Sequence, residues 1–302
     1  MKRDDEKPSR NAAVGVRSVA KIQRKIAFQG ELGAFSQVAA SQLVGDVFLP
    51  VPFQSFEEVF LAVKNGKCHA AAVPIENTLH GSVHWNYDLL LKYNLPIRNE
   101  TYVRIVHNLI ALPGVRFPQI KRVYSHEVAL NQCRNFFENN PAIKKQIFYD
   151  TAGSVKMLMQ EGLRDAGAIA SSTAAEIYGA NILKKSIEDD RENFTRFFLL
   201  EKPMRREPPV ARQADVRYKT SVVFTTRNIP GALFRSLSAF ALRDLNLTKI
   251  ESRPLRGKPW EYLFYLDFIG HTEDTVTKNA LHHLAEIADM WRVLGCYPAG
   301  KH

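Results

Sequence analysis

Residues 219–255 read KTSVVFTTRNIPGALFRSLSAFALRDLNLTKIESRPL. The first nine residues are rich in β-branched and aromatic side chains and predict a strand. Pro230-Gly231 then opens GALFRSLSAFALRDL, whose apolar residues recur at helical spacing, and LTKIESRPL predicts a second strand. Beyond it, EYLFYLDFIG predicts a third strand, TVTKNALHHLAEIA a second helix and WRVLGCYP a short fourth strand. The order βαββαβ within about 80 residues is the ferredoxin-like plan.

Upstream, EKPMRREPPVARQADVRYK (201–219) combines three prolines with few large apolar residues, the composition of a linker. Before the linker the pattern differs. KIAFQG (25–30), HAAAVPIE (69–76), RVYS (122–125), QIFYD (146–150) and AGAIAS (166–171) read as strands. GAFSQVAASQLVG, SFEEVFLAVKNG, ALNQCRNFFENN and GSVKMLMQEGL, between them, read as helices, and Ser55 with Glu58 fits a capping box. This alternation predicts an α/β domain with a largely parallel sheet and sites where strands end and helices begin.

The chain has 302 residues, 45% of them hydrophobic, enough for a full core and about two domains. Its net charge of +10 is not a nucleic-acid signature. Residues 1–25 contribute eight basic and three acidic residues (+5), and 202–219 six and two (+4), which leaves +1 for the rest. No run approaches the roughly 18 apolar residues of a membrane span, and the N-terminus lacks the apolar segment of a secretory signal. Asp4, Asp5 and Glu6 argue against an organellar transit peptide, so the expectation is a polar tail (1–24) on a cytoplasmic chain. Cys68, Cys133 and Cys296 lie far apart and read as small core residues.

Several catalytic motifs are absent. HEVAL fails as a zinc helix because Leu130 stands at its fifth position, and neither G-x-S-x-G nor a P-loop occurs. GELG (30–33) does not make a dinucleotide fingerprint, and the His282-His283 pair reads as helix surface. What remains is a set of polar residues at strand ends: Glu76-Asn77-Thr78, Ser125-His126, Gln132, Asp150-Thr151 and Thr195-Arg196. Each has a structural reading: Asn77 shapes a turn, Ser125 caps a helix, Thr151 caps another. Together, amides, hydroxyls and one arginine suit a cleft for a small polyanion.

In this order, VPIENTLHGSV, YSHEVALNQC, DTAGSV, NFTRFFLL, PGALFRSLSAF and IESRPL resemble the motifs of the prephenate dehydratase family with its C-terminal ACT regulatory domain. The resemblance runs from about Lys25 to Pro298; Gln37 and Asp150 depart from residues common in the family. It implies an α/β fold: a two-lobed, periplasmic-binding-protein-like catalytic domain (25–202; lobe 1 about 25–103 plus 180–202, lobe 2 about 104–179), a linker (203–218) and a ferredoxin-like ACT domain (219–298). It also implies a monofunctional enzyme, since 25 residues cannot hold a chorismate mutase domain.

The reaction so implied expels the ring carboxylate of prephenate as CO2 while the para hydroxyl leaves, giving phenylpyruvate. Hydroxide is a poor leaving group, so a hydrogen-bond donor is needed there in the transition state. Electrons flow into the ring, so no cofactor or metal is required. The resemblance makes Thr195 the residue at the leaving hydroxyl and Asn77, Ser125 and Gln132 its catalytic companions. Arg196 either grips a substrate carboxylate or locks its strand through an internal ion pair. Glu76, Thr78, Asp150 and Phe197 complete the expected substrate site. Gly231, Ala232 and Leu233 with Glu251, Ser252, Arg253 and Pro254 border an expected phenylalanine site at an ACT interface. The implied partners are prephenate or arogenate, phenylalanine, and further copies in a homodimer or homotetramer, with no nucleic acid and no membrane. A solute-binding protein would need a secretory signal, and a transcriptional regulator a helix-turn-helix.

Overall fold

A computed structural model describes residues 24–204, 210–255, 257–258 and 260–300. The predicted tail before residue 24 and the linker's centre, 205–209, lie outside them. The first lobe begins with β1 (Arg24–Gln29), α1 (Phe35–Val44), β2 (Phe48–Phe53), α2 (Phe56–Lys64), β3 (Ala70–Asn77), β4 (Gly81–Ser82), α3 (His84–Tyr93) and β5 (Ile97–Arg104). The second lobe holds β6 (Asn108–Ala111), β7 (Arg122–Ser125), α4 (Glu127–Asn131), α5 (Arg134–Glu138), β8 (Lys144–Ile147), α6 (Thr151–Glu161), β9 (Ala166–Ala170), α7 (Ser172–Tyr178) and β10 (Asn181–Lys184). The chain then returns as β11 (Phe194–Glu201).

Sheet order is β2-β1-β3-β11-β5, with β4 on β3, in lobe 1 and β10-β6-β9-β7-β8 in lobe 2. β11 runs antiparallel between β3 and β5 and is almost wholly buried, which its run FTRFFLLE permits. β10 pairs with β6 in the second sheet, so the return crossing spans 185–193 rather than residue 180. The first crossing spans 105–107.

Two other expectations change. The single helix read in ALNQCRNFFENN is two short ones, because Asp189 of the return crossing accepts hydrogen bonds from the Arg134 and Asn135 amides and starts α5 afresh. Strand β8 lies upstream of the predicted QIFYD, since Asp150 caps α6 instead, accepting from the Gly153 amide at 2.7 Å. The Ser55–Glu58 capping box is present on α2.

The C-terminal domain comprises β12 (Tyr218–Thr225), α8 (Ala232–Ala241), β13 (Leu247–Pro254), β14 (Tyr262–Ile269), α9 (Thr275–Ile287) and β15 (Met290–Pro298). Its antiparallel sheet has the order β13-β14-β12-β15, the ferredoxin-like arrangement read from the sequence. One face packs Val222, Phe224, Leu266 and Phe268 against Phe240 and Leu284 of the helices. The other packs Val223, Tyr265 and Tyr297 into the core of lobe 1 with Phe60, Leu90 and Phe198. The three cysteines are buried and unbridged.

Candidate active site

Asn77 ends β3 and Thr195 lies directly opposite it on β11. The Asn77 Oδ1 accepts from the backbone amides of Leu79 and His80, each at 3.0 Å, an Asx turn that orients the carboxamide. Its Nδ2 therefore points to β11, 2.8 Å from Asn193 Oδ1, 3.0 Å from Thr195 Oγ1 and 3.1 Å from the Phe194 carbonyl. Thr195 accepts from Asn77, so its own hydroxyl hydrogen remains for a further acceptor. Only 8% of Thr195 is exposed, and a hydrogen bond made in such surroundings is stronger than one in water.

The network continues across the cleft. His80 Nδ1 lies 3.2 Å from Gln132 Nε2, and Gln132 Oε1 lies 2.7 Å from His107 Nε2. Burial pushes the His107 imidazole below its ordinary range, against the pull of Gln132 and Glu188, so it is neutral and donates from Nε2. Gln132 of the second lobe thus accepts from His107 of the crossing and presents its amide hydrogens toward the first lobe. Phe35, the first residue of α1, meets the His107 ring edge-on at 5.7 Å.

Other contacts draw the lobes together. Ser171 Oγ donates to the Gly33 carbonyl (2.5 Å), and Glu31 pairs with Lys156 (2.9 Å) and Tyr149 (2.8 Å). Burial would raise the Glu31 carboxyl, yet hydrogen bonds from Lys156 and Tyr149 hold it below its usual range. A cavity of about 450 Å3 opens beside this latch, lined by Gly30, Glu31, Gln54, Tyr149 and Asp150. The Asp150 carboxyl is raised by burial, although it accepts from the Gly153 amide.

The predicted site residues divide accordingly. Asn77 and Thr195 touch, and Gln132 reaches their loop by donating from Nε2 to His80 Nδ1, while the His80 backbone amide donates to Asn77 Oδ1. Ser125 is fully buried, and its hydroxyl donates to the Ile169 carbonyl at 2.7 Å, while His126 caps α4. Thr78 ties the loop to β11, donating to the Glu192 carbonyl and accepting from the Phe194 amide. Phe197 is core, packed with Ala39, Val103 and Ile105. Of the two readings of Arg196, the geometry favours the internal lock: Nε lies 2.7 Å from Glu100 and Nη1 2.6 Å from Asp267. Glu76 pairs with Lys249 at 2.9 Å. Arg196, Glu76 and Phe197 are therefore corrected from substrate contacts to structural ones, because each side chain is already occupied behind or within the sheet.

The effector candidates occupy two separate elements. Gly231 caps α8 with φ +76° and open space where a Cβ would stand, and Ala232 and Leu233 start the helix. On β13, Glu251 and Arg253 face lobe 1 and bond Ser82, His84 and Asp88, while Ser252 and Pro254 are exposed. Asn193, His107 and His80 escaped the sequence reading. A lone histidine inside the apolar run VRIVHNLIAL was the available signal for His107.

The sequence profile of prephenate dehydratase matches residues 26–205. This chain belongs to the prephenate dehydratase family. It is a dehydratase, a lyase of that class. It is 44% identical over 283 residues to arogenate dehydratase/prephenate dehydratase 2 of Arabidopsis thaliana, covering 91% of this chain and 72% of that protein. A solved prephenate dehydratase from Arthrobacter aurescens, in complex with L-Phe, is 32% identical with a TM-score of 0.82, covering 91% and 90% of the two chains. A protein described as GqqA, a novel type of quorum quenching acylase, is 33% identical with a TM-score of 0.83, covering 91% and 98%. The cytoplasmic expectation is corrected: Arabidopsis relatives at 44%, 44% and 40% identity are chloroplastic proteins.

Proposed function

We propose that Thr195, held by Asn77, donates a hydrogen bond to the departing ring hydroxyl of prephenate. The bond from the ring carbon to its carboxylate breaks, CO2 leaves, and the electron pair enters the ring. The carbon–oxygen bond opposite breaks in turn, and the hydroxyl leaves as water with a proton supplied ultimately by solvent. Threonine is too weak an acid to give up its proton unaided, so its part is to stabilise charge growing on oxygen. Gln132 supplies a second amide donor from the facing lobe, and contact between the lobes excludes water. The observation that carries this reading is the locked Asn77 amide donating to Thr195 Oγ1, which leaves the threonine hydrogen free.

Arogenate, with an amino group in place of the side-chain keto group, is the second reading. It is favoured by relatives named for both substrates. Supplying both compounds to the purified protein and separating phenylpyruvate from phenylalanine measures the two values of kcat/KM. A ratio above one for prephenate supports the first reading, and a ratio below one the second.

Phenylalanine is the proposed inhibitor, binding between the α8 start and the exposed side of β13 from a second copy. The L-Phe complex of the Arthrobacter relative motivates this. Gly231→Val is a poor probe, since φ +76° strains any branched residue without a ligand. Ser252→Tyr is the cleaner variant: it is expected to leave uninhibited rates intact and raise the half-inhibitory phenylalanine concentration by about tenfold, the scale of one lost contact. An unchanged inhibition curve would place the effector elsewhere.

A further inference from the structure

Asn77 and Thr195 form one cross-strand pair, and the next pair along the same two strands is Glu76 with Arg196. Successive side chains on a strand point to opposite faces, so the second pair faces away from the cleft, toward the C-terminal sheet. Both of its members end on that sheet. Glu76 pairs with Lys249 of β13 at 2.9 Å, and Arg196 with Asp267 of β14 at 2.6 Å. Lys249 and Asp267 are themselves cross-strand neighbours. Arg196 is 4% exposed and also bonds Glu100 and the Tyr297 hydroxyl; Lys219 of β12 completes the cluster on Glu100 at 2.6 Å. Asp267 and Glu100 raise the Arg196 guanidinium and hold it charged despite its burial.

We infer that Glu76 and Arg196 are positioning residues through which the C-terminal sheet sets the geometry of the Asn77–Thr195 pair. A displacement of β13 moves Lys249, hence Glu76, hence the backbone of the adjoining Asn77; β14 acts on Thr195 through Arg196 in the same way. Strand β13 is also tied to lobe 1 by Glu251, which accepts from Ser82 Oγ at 2.5 Å. A cavity of about 780 Å3 beside Glu76, Phe194, Arg196 and Lys219 leaves room for such a shift. Where phenylalanine binds β13, as proposed above, these two pairs are its route to the cleft, and that part rests on the effector reading.

Lys249→Met and Asp267→Asn test the inference, with Lys249→Arg as the conservative control. Without phenylalanine, kcat is expected to fall about fivefold or more in the first two variants while KM stays within about twofold, as misplacement of a catalytic group predicts. Lys249→Arg should recover most of the loss. A kcat within about twofold of the parent in Lys249→Met, whatever becomes of its melting temperature, would reduce the pairs to fasteners between domains. Should Asp267→Asn not fold, Lys249→Met alone decides. Amide exchange over residues 74–82 and 192–198 reads the coupling without turnover: it should quicken in Lys249→Met, and unchanged exchange would overturn the inference. A parent inert toward both substrates would sink the catalytic reading, and a parent indifferent to phenylalanine the effector reading, leaving the exchange result to judge the coupling by itself.

Discussion

Thr195 has one hydrogen to give, and the Asn77 amide meets its oxygen as a donor without taking it. Replacing it by the near-isosteric valine removes the donor and keeps the shape. Thr195→Val should lower kcat about 100- to 1,000-fold with little change in KM, the cost of one lost transition-state donor, as steady-state rates would report. A second test at this scale uses pH. His107 is held neutral below its ordinary range, so an unfolded chain takes up its proton at about pH 6.5 while the native protein does not. Stability from this group is present above that pH and falls as the pH drops toward the native value. Melting temperatures between pH 7.5 and 5 should decline less steeply in His107→Gln than in the parent. Asn77 and Thr195 were legible because their motifs are local. The employment of Arg196 was not, since alternation tells which face a side chain takes but not what covers that face from 71 residues away.

Among the elements, α2 with its capping box was read, whereas α7, capped by Ser171, and α3 were not. Strand β2, FLPVPF, was missed, yet it lies at the edge of the first sheet, where proline's missing donor is tolerated. Strand β10 was not read, and the boundary drawn at about residue 180 left it in the first lobe, because NILK is too short to announce its pairing with β6. The lobes pack tightly at Gly33, where an added Cβ would stand 2.5 Å from the Cα of Ala174 with φ at +90°. Gly33→Ala should therefore wedge the lobes apart. A loss in kcat/KM of about 100-fold is expected from a misplacement near 1 Å, with secondary structure unchanged by circular dichroism. Wild-type kinetics in this variant would show that catalysis does not need the lobes this close.

For the whole molecule, the C-terminal sheet packs one face against its helices and the other against lobe 1, with one side of β13 left exposed. Yet Phe234, Leu242 and Trp260 remain 75–78% exposed on that domain, an unusual display of large apolar side chains for a lone chain. We expect a dimer that covers them. Light scattering at micromolar concentration should give at least twice the chain mass, and Phe234→Asp should lower it; a concentration-independent monomer would remove the shared effector site as well. The two-domain plan was visible in the change from alternating α/β elements to βαββαβ, whereas the burial of β12 between lobe 1 and the helices arises from long-range packing that no local pattern encodes. The central claim remains chemical: Thr195, held by Asn77, stabilises the ring hydroxyl as it leaves in the decarboxylating elimination. Prephenate labelled with 14C in the ring carboxylate tests it most directly, through release of labelled CO2 by the parent and by Thr195→Val. The account predicts one CO2 per phenylpyruvate formed by the parent and release slowed about 100-fold or more in the variant. Equal release by the two proteins, or product formed without CO2, would contradict it.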